Sequence, residues 1–269
     1  MTGFLAADAV TATYSRTAGE TVVGSPYTIS ATLSPAAVLG NYTITYNTAS
    51  LTINKAALTV TADNKTKVLN AANPPFTASY SGFRNGETLA TSGVTGSPSL
   101  TTTALTTSPV GSYLITAAMG SLSAANYSFT FANGALAVQY AAAGLVCNLE
   151  PGHQILQPIN TDNTSVFKLG STVPTKFRVC DANGVSIGTA GVVTSYGLIL
   201  QVTDSSLAVD ESPYSTTPDN AFRWDSSAQQ WIFNQSTKNN PSLNKTNTRY
   251  YFRIFLNDGT YIDFQYGLK

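Results

Sequence analysis

The chain has 269 residues and a formal net charge of zero, from 14 basic and 14 acidic side chains. Only 10% of the residues are charged, against roughly 25% in an average soluble protein, and threonine occupies 38 positions. An apolar content of 43% is enough for ordinary cores, which excludes a disordered chain. Neutral charge removes the basic patch on which nucleic-acid affinity rests, so no nucleic-acid partner is expected. No apolar run reaches the ~18 residues of a membrane-spanning helix, so no membrane span is expected in this chain.

The secondary-structure signal is an alternation of apolar and polar residues with a period of two. Threonine or serine occupies the alternate positions, as expected for strands with one buried and one solvent-facing side. No stretch of ten or more residues shows a helical period, so the sequence predicts an all-β chain. The clearest runs are residues 27–33, 42–46, 51–53, 58–61 and 127–131.

An internal repeat sets the size of the modules. Residues 41–53 match residues 126–138 without gaps, at an offset of 85 residues. A repeat of this length with several short strands predicts immunoglobulin-like β-sandwich modules. Residues 55–140 are then a complete module, and residues 1–54 contain only the C-terminal part of another. Such a partial module is expected to leave apolar faces and strand edges unpaired.

A different module is expected over residues 145–269. Residues 141–269 hold 19 of the 28 charged side chains, both tryptophans and both cysteines. Two alternating runs, 249–256 and 261–266, flank an Asn-Asp-Gly turn and predict a terminal hairpin. Large aromatics dominate the interiors of small sandwiches, so Trp224, Trp231 and Phe233 are expected in the core.

The two cysteines, Cys147 and Cys180, are 33 residues apart in this C-terminal part. Their spacing fits neither a redox motif nor a four-ligand zinc site. A disulfide bond is the favoured interpretation for an extracellular chain. Two buried free thiols that act as small apolar residues are the alternative.

Two family resemblances are carried by these residues. Residues 41–56, 58–67 and 80–87, with the Asn-Pro turn at 73–74, resemble the MBG and YDG repeat modules, which occur in tandem in large bacterial surface and secreted proteins. The resemblance covers about residues 5–140, although residues 68–71 replace the usual tyrosine and glycine. Residues 167–178 resemble the signature of the PxKF domain, with Pro174, Lys176 and Phe177 at its named positions. That resemblance implies an extracellular, immunoglobulin-like domain with no assigned chemistry.

Candidate catalytic and metal-binding residues are few. His153 is the sole histidine, no nucleophile elbow is present, and none of the four glutamates has a typical acid/base context, so no enzyme is predicted. No cofactor is expected, apart from a weak calcium possibility in the Asp/Asn-rich segments 160–163, 181–184 and 204–211. These clusters are also ordinary turn chemistry. Lys176 is the one lysine considered for an isopeptide bond between strands.

These observations predict a non-enzymatic, secreted or cell-surface structural protein. It would form a stalk, fibre or surface-layer element, with copies of itself or neighbouring surface modules as partners. Strand pairing through the incomplete N-terminal module would drive assembly. The alternatives are an adhesin tip that binds glycan or protein, or an accessory region of a larger secreted enzyme. Exposed aromatics at Tyr196, Tyr214 and Trp224 would favour the tip.

Overall fold

The computed structural model describes residues 2–212 and 217–269. Within them strands dominate, and the helical segments are a 3-10 turn, Ala6–Asp8, and one four-residue helix, α1 (Ala36–Leu39). Neither helical segment is long enough to cross a membrane. The prediction of an all-β fold is confirmed.

The chain divides into two compact units. The first holds the residues up to Asp63 together with Thr77–Thr101 and Thr116–Asn133. The second holds Asn64–Phe76, Thr102–Ile115 and Gly134–Lys269. The domain boundaries drawn from the sequence, 1–54, 55–140 and 145–269, stay predictions.

The first unit contains two three-stranded sheets, with strand orders β1-β2-β3 and β6-β4-β9. All pairs are antiparallel except β4 with β9, which run parallel. Parallel neighbours cannot be joined by a tight turn, so most of a module lies between them in sequence. The strands are β1 (Thr11–Arg16), β2 (Tyr27–Ser34), β3 (Ala49–Leu51), β4 (Ala56–Ala62), β6 (Ala78–Ser81) and β9 (Tyr127–Ala132).

One predicted strand is absent from the N-terminal segment, and of the predicted run 51–53 only Leu51 belongs to a strand, β3. The alternating run 42–46 is not a strand in the structure, although its repeat equivalent lies in β9. The two segments differ in their pairing. β9 pairs with β4, whereas residues 43–48 pair with no strand among the described residues. Within residues 2–54 only Tyr27 is buried, so this segment has almost no core.

A further sheet has the order β5-β10-β8-β7, with β10 parallel to β5 and antiparallel to β8. Burial alternates along β10, where Leu136 and Val138 are fully buried and Ala135 and Ala137 are not. In β4 of the first unit the buried residues are Leu58, Val60 and Ala62, with threonines between them, as the period of two predicts. The strands are β5 (Lys65–Val68), β7 (Ser99–Thr102), β8 (Gly111–Ala118) and β10 (Gly134–Gln139).

The C-terminal part of the second unit is a β-sandwich of two four-stranded sheets. Their orders are β13-β15-β18-β17 and β14-β20-β19-β16, and β14 is parallel to β20. Both sheets bury residues in one core, which includes Phe177, Trp231, Phe252 and Tyr266. The strands are β13 (Ile155–Leu156), β14 (Val166–Phe167), β15 (Thr172–Phe177), β16 (Val193–Thr203), β17 (Arg223–Asp225), β18 (Gln230–Ser236), β19 (Thr248–Leu256) and β20 (Tyr261–Leu268), and a short hairpin, β11 (Val146–Cys147) with β12 (Glu150–Pro151), precedes them.

The predicted terminal hairpin is confirmed. β19 and β20 pair antiparallel along their whole length, from Phe255 opposite Tyr261 to Thr248 opposite Leu268. Asp258 closes the turn, because its carboxylate accepts hydrogen bonds from the N–H and the hydroxyl of Thr260.

Candidate functional site

An aromatic-lined cavity of about 600 Å³ opens in the C-terminal sandwich beside the edge strands β16 and β17. Most ligand sites are concave and apolar with a few polar groups, and this cavity has that composition. Arg223 and Asn220 are its longest polar side chains. Its aromatic lining consists of Tyr196, Phe222, Trp224, Trp231 and Phe233.

Trp224 is closely packed at this cavity. One face of its indole lies against Gly188, where an added Cβ would stand 2.2 Å from Cε2. Its ring centroid is 5.7 Å from that of Trp231, whose Nε1–H donates to the carbonyl of Ile187 at 2.9 Å. Only glycine can pack so closely, so the loop at residue 188 fixes the ring in place.

Tyr196 is half-buried and packs against the core of the sandwich. Its ring packs against Phe222, Phe233 and Phe252, with centroid separations of 5.4, 5.4 and 5.7 Å. Its hydroxyl donates to Oε1 of Gln235 at 2.7 Å. Burial raises the pKa of Tyr196 well above its usual range. Of the three aromatics proposed for an adhesin tip, Trp224 is half-buried and Tyr214 lies outside the described residues.

The predicted disulfide joins Cys147 at the end of β11 to Cys180 beyond β15, with Cα atoms 5.6 Å apart. Both residues are fully buried and pack against Ala141 and Val68. The bond anchors the β11–β12 hairpin, whose tip presents Leu149 to solvent with 94% of its surface exposed. Leu149 adopts a φ of +71°, a left-handed conformation that is strained for leucine.

The three PxKF-type positions lie together on β15. Phe177 is fully buried in the core, and Pro174 is also buried. Pro174 stands opposite Asn234, whose N–H and C=O both bond to Asp219 on the other side of β18. The Pro174–Asn234 pair is therefore of the non-hydrogen-bonded type, so the missing N–H of proline interrupts no β15–β18 bond. Lys176 borders a groove that also contains Glu150, and its isopeptide bond stays a prediction.

The residues considered for chemistry do not converge. Nowhere in the described ranges do three His, Cys, Asp or Glu side chains group as metal ligands. The backbone N–H of His153 donates to the carbonyl of Arg178 at 2.7 Å, and its imidazole is half-buried. The calcium possibility stays a prediction.

The three Asp/Asn-rich segments use their carboxylates to close turns. Asp162 accepts from the N–H of Thr164, and Asp204 accepts from the N–H of Ser206. Asp181 accepts from the N–H groups of residues 183 and 185 and from the side chain of Asn70. Burial by itself would raise the pKa of Asp181, but these hydrogen bonds outweigh it and lower the pKa. Bonds of this kind are the ordinary work of aspartate in turns.

Two tyrosines of the internal repeat, Tyr42 and Tyr127, sit in the same type of side-chain cluster, here named the tyrosine clasp. The Tyr127 ring packs on Phe83 at 5.8 Å, and its hydroxyl accepts from the N–H of Arg84 and donates to Glu87.

The Tyr42 clasp repeats this arrangement with other residues. The Tyr42 ring packs on Phe4 at 4.8 Å, and its hydroxyl accepts from the N–H of Leu5 and donates to Asp8. Each clasp draws on a Gly-Phe pair followed by a carboxylate four residues after the phenylalanine, at 3–8 and at 82–87. The hydrogen bond to the carboxylate raises the pKa of each tyrosine.

The comparisons with known proteins bear on the middle of the chain. The family model of the MBG domain (YGX type) matches residues 58–137, which supports the MBG resemblance over that stretch. No curated protein matches the chain. Among solved structures, the crystal structure of the protocadherin gammaB4 extracellular domain aligns with 90% of this chain at 15% identity. The TM-score of this alignment is 0.21, and the chain spans 39% of the length of that structure.

The sequence analysis missed two features. Lys67 is buried, with only 7% of its surface exposed, because its ammonium group bonds to backbone carbonyls. Nothing in the alternation around β5 distinguishes it from Lys65. The tyrosine clasps were also missed, although the recurrence of Gly-Phe before a carboxylate would have revealed them.

Proposed function

We propose that the chain is a non-enzymatic extracellular structural protein, a stalk, fibre or surface-layer element built from immunoglobulin-like sandwiches. The MBG match over residues 58–137, the all-β fold and the buried disulfide support this proposal. The PxKF resemblance of residues 145–269 agrees with a location outside the cell. Low charge favours close packing of such modules, since few charges must be desolvated on contact.

The observation that carries the proposal is the unpaired segment at residues 43–48. It has the alternating pattern of a strand, and its repeat equivalent pairs with β4. It also lines a groove of about 420 Å³, together with Tyr14 and Leu33 from the neighbouring sheet. Tyr14 and Tyr46 expose 68% and 54% of their surfaces there.

A strand supplied by another copy would complete this segment by β-augmentation. It would run parallel to residues 43–48, as β4 runs parallel to β9. Main-chain hydrogen bonds would provide affinity, and alternate side chains would cover the exposed tyrosines. Repetition of this head-to-tail contact would produce a filament.

The test is negative-stain electron microscopy combined with light scattering on the purified full chain. We expect filaments or large oligomers, which a synthetic peptide with the β4 sequence (Ala56–Ala62) should shorten because it competes for the unpaired segment. A scrambled peptide of the same composition is the control. A monomer at all concentrations, or oligomers indifferent to the β4 peptide, would refute assembly through this segment.

A second candidate function, a ligand-binding tip, is favoured by the aromatic cavity. A rigid indole beside Arg223 and Asn220 suits the stacking and hydrogen bonding that sugars require. A glycan array should then show binding that Trp224→Ala abolishes and Trp224→Phe partly retains. Binding that both variants keep would exclude the cavity. An accessory role in a larger secreted enzyme is the remaining alternative.

A further inference from the structure

The edge strand β16 lacks most of the features that usually protect the edge of a sheet. It spans eleven residues, Val193–Thr203, and among the described strands it pairs only with β19. None of its residues is charged and none is proline. Natural edges are usually short, charged or interrupted by proline, because free main-chain groups recruit other strands. The interruptions in β16 are two register shifts, and the stretch from Leu200 to Thr203 pairs regularly.

Apolar side chains on this strand are exposed to solvent. Ile199, Leu200 and Val202 expose 51%, 53% and 43% of their surfaces. Leu200 and Val202 stand opposite Tyr251 and Arg249, on the sheet face that turns away from the core. The strand thus combines an open edge with an apolar stripe beside it.

The direction of the free main-chain groups follows from one hydrogen bond. The N–H of Asp204 donates to the carbonyl of Asn247 at 2.7 Å, on the β19 side. Main-chain groups alternate along a strand, so those of Val202 also point to β19 and those of Gln201 and Thr203 point outward. Two residues therefore offer N–H and C=O groups at the open edge.

We propose that two copies of this chain pair through β16, antiparallel, around a two-fold axis at Val202. Gln201 of each copy would exchange both main-chain hydrogen bonds with Thr203 of the other, which gives four bonds across the axis. The two Val202 side chains would meet at the axis, with Leu200 of each copy beside them. The two sheets would become one continuous sheet of eight strands.

A second copy can approach this edge without electrostatic repulsion. The chain has a net charge of zero, so two copies approach without long-range repulsion. Since β16 is uncharged, self-pairing places no like charges opposite one another within the strand. With the axis at Val202, residues 201–203 of the two strands overlap, over about 10 Å at about 3.3 Å per residue, so the contact is much smaller than a standard interface of about 800 Å² per partner. The dimer is therefore weak and depends on concentration.

This inference does not rest on assembly through residues 43–48, and its test separates the two. Sedimentation equilibrium of the full chain is measured from micromolar to millimolar concentration. Gln201→Pro removes an outward N–H without breaking a β19 bond, and Leu200→Lys places a charge on the edge. Val209→Lys is the matched control, since Val209 is similarly exposed at 49% but lies outside the strand. Circular dichroism confirms that each variant folds.

We expect a monomer–dimer equilibrium that Gln201→Pro and Leu200→Lys weaken at least tenfold and Val209→Lys leaves unchanged. Val202→Cys should cross-link to itself under mild oxidation, because the axis brings the two thiols together, whereas Val209→Cys should not. Should Gln201→Pro fail to fold, Leu200→Lys and the cross-link decide alone. A monomer throughout the range, or a dimer that keeps its affinity in Leu200→Lys and does not cross-link at residue 202, would overturn the proposal. Oligomers that the β4 peptide shortens and that the β16 substitutions leave unchanged would indicate assembly through residues 43–48 only. That result would overturn pairing through β16.

Discussion

The buried ammonium group of Lys67 depends on hydrogen bonds to backbone carbonyls. Its Nζ donates to the carbonyls of Ala71, Leu105 and Thr106 at 3.1, 2.5 and 3.4 Å. Burial lowers the pKa of Lys67, because the charged ammonium is partly removed from water. The carbonyls replace that water, so the ammonium bonds to two backbone segments of the second unit, at Ala71 and at residues 105–106.

We therefore expect Lys67→Met to lower the free energy of unfolding by about 2 kcal/mol, because it removes three hydrogen bonds from a charged donor. Lys65→Met is the matched control, since Lys65 lies on the same strand and makes none of these bonds. Denaturant titration of both variants measures the difference. Equal stabilities of the two variants would contradict the role assigned to Lys67.

At the residue level, the sequence predicts features that depend on nearby residues. It does not predict features that depend on which distant segments the fold brings together. The disulfide between Cys147 and Cys180 was the favoured interpretation of two cysteines in an extracellular chain, and the structure contains it. The turn at Asp258 follows from its Asn-Asp-Gly context. The burial of Lys67 does not follow from the sequence, because the three carbonyls that bind it come from segments up to 39 residues away.

At the scale of elements, the sheets of the C-terminal sandwich carry tyrosines whose hydroxyls lie inside the core. Tyr196 on β16 and Tyr266 on β20 both donate to Oε1 of Gln235 on β18. Tyr140 follows β10 and donates to Oδ1 of Asn257 at 2.8 Å. Burial, reinforced by the carboxylate of Asp258, raises the pKa of Tyr140 to about 12. Burial likewise raises the pKa of Tyr196 and Tyr266.

These shifts predict alkaline sensitivity. The unfolded tyrosines ionise near pH 10 and the folded ones at higher pH, so the unfolded state loses protons first. The contribution of these tyrosines to the free energy of unfolding should therefore be constant below about pH 9 and fall as the pH rises through 10 to 12. Urea titrations across this range measure the slope. Tyr140→Phe should make the slope shallower, and an unchanged slope would show that Tyr140 does not contribute.

The strands themselves were largely predictable, but their partners were not. β2, β4, β9 and the final hairpin follow from alternation, because one buried face imposes a period of two. The same period failed at 42–46, with which no strand pairs among the described residues. Alternation describes the faces of a strand and contains no information about the edge against which it pairs. For the same reason the open edge of β16 could not be located from the sequence.

At the scale of the molecule, the disulfide between Cys147 and Cys180 is a covalent constraint on the folded chain. It closes a loop of 33 residues that contains β12 to β15. In the chain-entropy model such a loop reduces the freedom of the unfolded state by roughly 3–4 kcal/mol. The double variant Cys147→Ser, Cys180→Ser should therefore lose about that much stability, measured by urea denaturation. Addition of a reductant should shift the unmodified chain to the same midpoint and leave the double variant unchanged.

The same bond determines how the chain responds to tension. A pulling force applied to the chain before Cys147 is transmitted to Cys180 through the disulfide bond. The force therefore bypasses the segment between the two cysteines. At about 3.6 Å per extended residue, those 33 residues amount to about 120 Å of contour length that cannot be drawn out while the bond is intact. In a stalk under shear the oxidised module would act as a link of fixed maximum length. Reduction of the disulfide would release this length, which would appear as an additional step in the extension of the chain under force.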